Sequence, residues 1–128
     1  MQNVELIAVL AVIQFFFFGA MTGRARRKSG LKAPLMTGDE AFERMYRVQM
    51  NTLETLVAFL PVLLIAPKYW APNLITVVGC IYLIGRFIYW KTYVTNPEKR
   101  GLGFMLSMIS TFILIILAFL GIMKTLFN

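Results

Sequence analysis

Arg44, Arg47, Asn51 and Glu54 follow one another at spacings of three, four and three residues. Wound as a helix at ~100° per residue they share one stripe about 80° wide. Two guanidinium forks, an amide and a carboxylate on one face form an anion receptor, because guanidinium binds carboxylate or phosphate through paired N–H donors. Glu54 on the same stripe fits a ligand that also carries an ammonium group. Arg86, Tyr89 and Tyr93 repeat the pattern downstream, on a face about 60° wide by the same arithmetic. Arg100 follows Asn96-Pro97-Glu98, a helix start with an N-cap residue, a proline at the first position and an acid in the first turn. A helix N-terminus adds its dipole and free N–H groups to the attraction for an anion.

The elements that carry these residues are apolar. The chain has 128 residues, 59% hydrophobic and 14% aromatic, yet holds 13 Lys+Arg against 6 Asp+Glu for a formal charge of +7. A basic soluble nucleic-acid binder has far fewer apolar residues, and a disordered basic tail has almost none. Nucleic acid is excluded as a partner because the cations split between apolar helices and short connecting segments. One small domain cannot bury so much apolar surface within itself, whereas a bilayer can receive it. Cys80 is the sole cysteine and there is no histidine. Disulfide pairing within the chain, a structural zinc site and histidine-assisted nucleophilic catalysis are thereby ruled out, and no metal is expected.

A helix needs about 20 largely apolar residues to cross ~30 Å of hydrocarbon. Val4 to Met21, Asn73 to Trp90 and Leu102 to Met123 meet that requirement. The first has neither a basic leader nor a small-residue cleavage site, so it reads as a retained helix. The segment from Thr55 to Ala66 is too short to span alone. It becomes long enough only if the helix continues upstream through Glu54, Asn51, Arg47 and Arg44, and Thr37-Gly38-Asp39-Glu40 reads as a capping box that would start it there. Pro61 would kink this helix without ending it. The expectation is an all-α polytopic membrane protein, one four-helix transmembrane domain over residues 1–128 with helices at about 3–23, 38–66, 72–94 and 97–126.

Charges at membrane depth cannot face lipid, so the polar stripe must line a protein interior or a water-filled cleft. A seam of salt bridges between helices is the plainer alternative, but polar contacts between membrane helices contribute only ~0.6–2 kcal/mol each. Tyr69, Trp70 and Trp90 read as interface anchors. Arg24, Arg26, Arg27, Lys28 and Lys32 crowd the first loop, and Lys99 and Arg100 the third, while the second loop and both termini are nearly bare. The positive-inside rule puts loops 1 and 3 in the cytoplasm and both termini on the opposite side.

Glutathione, with two carboxylates, an amine, a thiol and a cytoplasmic supply, suits such a cavity. The run Phe42-Glu43-Arg44-Met45-Tyr46-Arg47-Val48-Gln49-Met50-Asn51-Thr52-Leu53-Glu54, with Gly85-Arg86-Phe87-Ile88-Tyr89, Tyr93, Pro97-Glu98-Lys99-Arg100 and the basic Ala25-Arg26-Arg27, resembles the membrane-associated proteins in eicosanoid and glutathione metabolism. The resemblance spans essentially the whole chain. It implies a homotrimer of four-helix subunits in a bacterial inner membrane or an ER-type membrane, with glutathione folded between neighbours near the cytoplasmic face. By that resemblance Arg47 clamps a carboxylate, Asn51 and Glu54 hold backbone and amino groups, and Tyr89 completes the cradle. Arg26 and Gln49 reach in from the adjacent subunit, Arg86 and Tyr93 support the pocket, and Arg100 stabilises the thiolate.

Thr55 stands where the cysteinyl-leukotriene synthase branch has Tyr, and Gly101 where prostaglandin E synthase has serine. The sequence looks most like the microsomal glutathione transferase branch, in a prokaryotic form. The implied activity is that of a glutathione transferase or glutathione-dependent peroxidase in detoxification, with glutathione as co-substrate and a lipophilic electrophile or lipid hydroperoxide arriving through membrane lipid. A non-catalytic lipid-binding scaffold of the same family is the alternative, although it has no need of a thiolate-stabilising Arg100. A small four-helix exporter fits less well, since its function depends on a carboxylate deep in the first helix and only Glu5, near the outer end, is present.

Overall fold

The computed structural model describes all 128 residues, which form helices joined by short turns. Helix α1 spans Gln2–Ser29, α2 Glu40–Ile65, α3 Pro72–Thr95 and α4 Gly101–Leu126, with 3-10 turns at Ala66–Lys68 and Pro97–Lys99. All four helices are long and apolar enough to cross a membrane. Large apolar side chains such as Phe16, Val57, Phe112 and Phe119 lie exposed on the outer faces, which only a hydrocarbon solvent tolerates on this scale.

Helix α1 is longer than its apolar stretch. It continues through Arg24, Arg26, Arg27 and Lys28 to Ser29 and stops at Gly30, whose φ of 77° only glycine adopts readily, with Gly30 N–H donating to Arg26 O. These cations therefore project from a helical extension and not from a loop, and they favour the negative end of its dipole. Helix α2 does run upstream through the polar stripe. Its cap is Asp39, whose carboxylate accepts from Phe42 N–H at 2.9 Å, and not Thr37. Pro61 lies inside the helix.

Two apolar cores hold the bundle. The larger takes Ile7 and Ala11 from α1, Phe59 and Leu63 from α2, Ile75 and Tyr82 from α3, and Leu114 from α4. Phe59 and Tyr82 stack with ring centroids 3.7 Å apart and planes 8° from parallel. The smaller joins Phe18, Met45, Val48 and Tyr89 beneath the polar end. Helices α3 and α4 come closest where Gly85 faces Ser107 and Gly103 faces Tyr89. A Cβ on Gly85 would stand 2.8 Å from Ser107 N, and one on Gly103 2.6 Å from Tyr89 Cα. Small residues let membrane helices approach in this way.

Trp70 does more than mark an interface. Its indole Nε1–H donates to Leu117 O of α4 at 2.7 Å, tying the α2–α3 connection to the last helix. Trp90 packs edge-on against Phe17, at 5.3 Å between centroids, with the Lys91 ammonium 4.4 Å from its ring centroid.

Candidate functional site

The polar faces of α2 and α3 and the first turn of α4 enclose a cleft of about 940 Å³. Helix α2 supplies Arg47, Asn51, Glu54, Thr55 and Ala58, and α3 supplies Tyr89 and Tyr93. Glu98 and Arg100 close the mouth, and Phe104, Met105 and Met108 of α4 form an apolar wall. The cleft thus has a charged end and a greasy end. That division follows from sequence, because the three- and four-residue spacing on α2 runs from Arg47 through Asn51 and Glu54 into Ala58, and α4 turns apolar immediately after Arg100.

At the charged end Arg47 Nη1 donates to Glu54 Oε1 at 3.1 Å, with both side chains about half exposed. A pair this open contributes little to stability, on the order of 0–1 kcal/mol. A ligand bearing both carboxylate and ammonium can exchange partners with it. Arg100 is exposed and its Nη1 donates to Pro97 O at 2.9 Å. The Tyr89 and Tyr93 rings lie 5.4 Å apart, and Tyr89 sits 6.4 Å from Phe104, so aromatic faces join the polar and apolar halves.

Arg86 shares a helix face with Tyr89 and Tyr93 but lies behind the cleft wall, with none of its surface exposed. Its Nη1 donates to Asn51 Oδ1 at 2.8 Å and to Thr55 Oγ1 at 3.1 Å. Its guanidinium carbon is 4.3 Å from the Tyr89 ring centroid. One arginine thereby fixes an amide on α2 and an aromatic ring on α3, both of which face the cleft. Thr55 also lies 2.9 Å from the Tyr82 hydroxyl and donates to Thr52 O at 3.0 Å. The sequence marks Thr55 only as a departure from the leukotriene synthase branch and gives Tyr82 no role; the available signal for both is a hydroxyl side chain in an otherwise apolar stretch, which needs hydrogen-bond partners once buried. Glu98, assigned there only to a helix start, also lines the cleft.

Three other residues stand elsewhere. Arg44 pairs with Glu40 one turn away and donates to Val94 O at 3.3 Å. It joins α2 to α3 and does not line the cleft, so for this arginine the stripe is a seam between helices. Arg26 donates through Nη1 to Leu35 O at 2.7 Å and stacks over Phe42, its guanidinium carbon 4.5 Å from the ring centroid. Gln49, two residues from Arg47 and hence about 200° round the helix, packs its amide against Gly19 of α1. Within one chain the cleft brings together Arg47, Asn51, Glu54, Tyr89, Tyr93 and Arg100, but not Arg26 or Gln49.

The family model for MAPEG matches residues 4–120. The chain belongs to the MAPEG family. Among similar proteins, an uncharacterised protein of Synechocystis is 42% identical over 118 residues, 92% of this chain and 86% of that one. Human microsomal glutathione S-transferase 2 is 34% identical across 91% of this chain and 79% of its own length. Guinea-pig (Cavia porcellus) leukotriene C4 synthase is 32% identical across 91% and 78%. As a MAPEG protein with four helices able to cross a bilayer, the chain is an integral membrane protein.

Proposed function

We propose that residues 1–128 form a single four-helix transmembrane domain that conjugates glutathione to lipophilic electrophiles, as a microsomal-type glutathione transferase. The observation that carries this reading is the two-ended cleft, where Arg47, Asn51, Glu54, Tyr89, Tyr93 and Arg100 face Phe104, Met105 and Met108. The charged end suits a peptide with two carboxylates and an amine, and the apolar end suits an acceptor partitioning from lipid. Relatives named for glutathione transfer and leukotriene C4 synthesis support the same class.

In this reading Arg47 takes a glutathione carboxylate, Glu54 takes its ammonium, and Asn51, held by Arg86, bonds its backbone. Arg100 faces the sulfur. A nearby guanidinium favours the charged form of a thiol and so lowers its pKa, and the thiolate is the nucleophile. The thiol proton passes to water at the open mouth, the sulfur forms a bond to the electrophilic carbon, and the leaving group departs with its electron pair. Holding both reactants in one cleft supplies the remaining advantage. With a lipid hydroperoxide, the thiolate attacks the distal oxygen and an alcohol leaves. A second glutathione thiol then yields the disulfide and water.

The subunits assemble as a homotrimer in this proposal. Arg26 and Gln49 lie on the α1–α2 face, turned away from their own cleft, and a neighbour docked against the open side brings that face to it. The basic end of α1 and the Pro97–Arg100 turn face the cytoplasm, and both termini lie opposite.

The test is a conjugation assay on the purified protein, with an aromatic halide and a lipid hydroperoxide as parallel acceptors and isothermal titration with glutathione alongside. Turnover of either acceptor is expected. Glutathione binding without turnover would favour the scaffold reading, and no binding at all would refute the site.

A further inference from the structure

We propose that the seam between α1 and α3 is a binding groove for an anionic glycerophospholipid, separate from the α2–α4 cleft. Two hollows lie along this seam. The upper, of about 440 Å³, is bordered by Arg24 and Lys28 of α1 and by Trp90 of α3, with Ala41 and Met45 at the start of α2 lining it as well. The lower, of about 350 Å³, lies between Leu10 and Phe17 of α1 and Phe87 of α3. Phe17 stands 5.3 Å from Trp90 and 6.5 Å from Phe87, so one aromatic cluster borders both. From Lys28 to Leu10 is about 27 Å of helix at ~1.5 Å per residue, the span of a phosphate and one acyl chain.

Charge selects the occupant. Arg24 and Lys28 stand one turn apart, and neither forms an ion pair within the chain, since the only ion pairs are Arg44–Glu40 and Arg47–Glu54. Asp39 also borders the upper hollow, but its carboxylate is engaged in capping α2 at Phe42 N–H. Two unpaired cations above an apolar trough match a phosphate above an acyl chain. A zwitterionic lipid offers the same chain but brings its own cation to the arginine. Each basic side chain near a bilayer surface favours anionic lipid by roughly fivefold, and in a groove both act on one phosphate.

Trp90 reports occupancy directly, being one of only two tryptophans, with Trp70 at the other end of the bundle. The full-length protein is reconstituted into phosphatidylcholine vesicles containing a fixed fraction of chain-brominated phosphatidylglycerol, or the same fraction of brominated phosphatidylcholine. Tryptophan quenching is then compared. Quenching by the anionic lipid is expected to correspond to several-fold local enrichment, lost in the double variant Arg24→Gln/Lys28→Gln. The variant Arg27→Gln/Lys32→Gln removes the same charge from the same end outside the groove and is expected to retain the enrichment. Both pairs are exposed, and circular dichroism verifies that each variant keeps its helices. Equal quenching by the two lipids overturns the groove, as does enrichment that survives Arg24→Gln/Lys28→Gln. Equal loss in both double variants also overturns it, by assigning the effect to the general surface field.

Discussion

Replacing Gly103 by Ala adds one methyl group at the tightest point between α3 and α4, and the structure sets the size of the response. The new Cβ would lie 2.6 Å from Tyr89 Cα and 2.8 Å from Gly85 O, with Tyr89 N closer still. All three are atoms of the α3 backbone, so no side-chain rotation relieves the clash. Ordinary contact begins near 3.4 Å, so the start of α4 must retreat from α3 by at least about 0.8 Å, since packed interiors hold no slack to absorb it. Overpacking of this kind destabilises by about 1–3 kcal/mol, partly offset by the ~1 kcal/mol helix preference of Ala over Gly. The larger consequence is positional. Arg100 and Phe104 flank Gly103 while Tyr89 is on the opposite side of the contact, so the retreat separates walls of the same cleft. A misplacement near 1 Å reduces turnover by about 100-fold. The assay pairs thermal unfolding in detergent with glutathione-conjugation kinetics. Gly23→Ala serves as the control, because a Cβ there meets nothing within 4 Å. Unaltered melting and turnover in Gly103→Ala would refute the claim that this contact sets the cleft's geometry.

Arg100→Ala is expected to lower kcat by about 100-fold, the scale of one lost electrostatic stabiliser, while glutathione affinity measured by titration changes less than about fivefold. Parallel losses in the two quantities would remove the thiolate role from Arg100. Thr55→Val keeps the side-chain shape but deletes the oxygen that Arg86 and Tyr82 both reach. A buried donor left without its acceptor destabilises by about 1–3 kcal/mol, visible as a lower melting temperature, and a melting curve matching the unsubstituted protein would show that the network carries no energy.

The length of α2 was legible because the arithmetic of membrane thickness left no other choice: twelve apolar residues cannot span, and the only upstream extension carries Arg44, Arg47, Asn51 and Glu54. Periodicity then put these side chains on one face, but it could not divide that face. Arg44 differs from Arg47 because Glu40, one turn back on the same helix, and Val94 O lie within its reach, and the second of these depends on where α3 passes. The same applies to Arg86. Its helix angle groups it with Tyr89 and Tyr93, yet depth decides whether a residue on that face lines the cleft or stands behind it. Hydropathy places the end of α1 too early for a different reason. A drop in hydropathy marks the edge of the membrane, whereas a helix ends where its backbone is capped, and α1 runs on past Gly19 and Gly23 to its left-handed cap at Gly30.

Placing Arg86 behind the wall explains how a cation can sit at membrane depth without an acidic partner. Its Nη1 meets an amide oxygen and a hydroxyl, and its guanidinium lies against an aromatic face, neutral groups whose dipoles share the charge, while Nε and Nη2 are buried without a hydrogen-bond partner. Pairing it with a carboxylate would have cancelled its field, and such buried pairs gain little against their desolvation. Arg47 has a different arrangement at the open mouth, where a half-exposed partner can be exchanged for a ligand. The polar faces of α2 and α3 thus hold two kinds of arginine. The buried one is held by neutral dipoles that it orients in return, and so it fixes geometry. The exposed one is held by a weak ion pair, and so it remains available for recognition. An exchange of the two environments would bury the receptor arginine among neutral groups out of a ligand's reach, and leave Asn51 and Tyr89 no longer positioned.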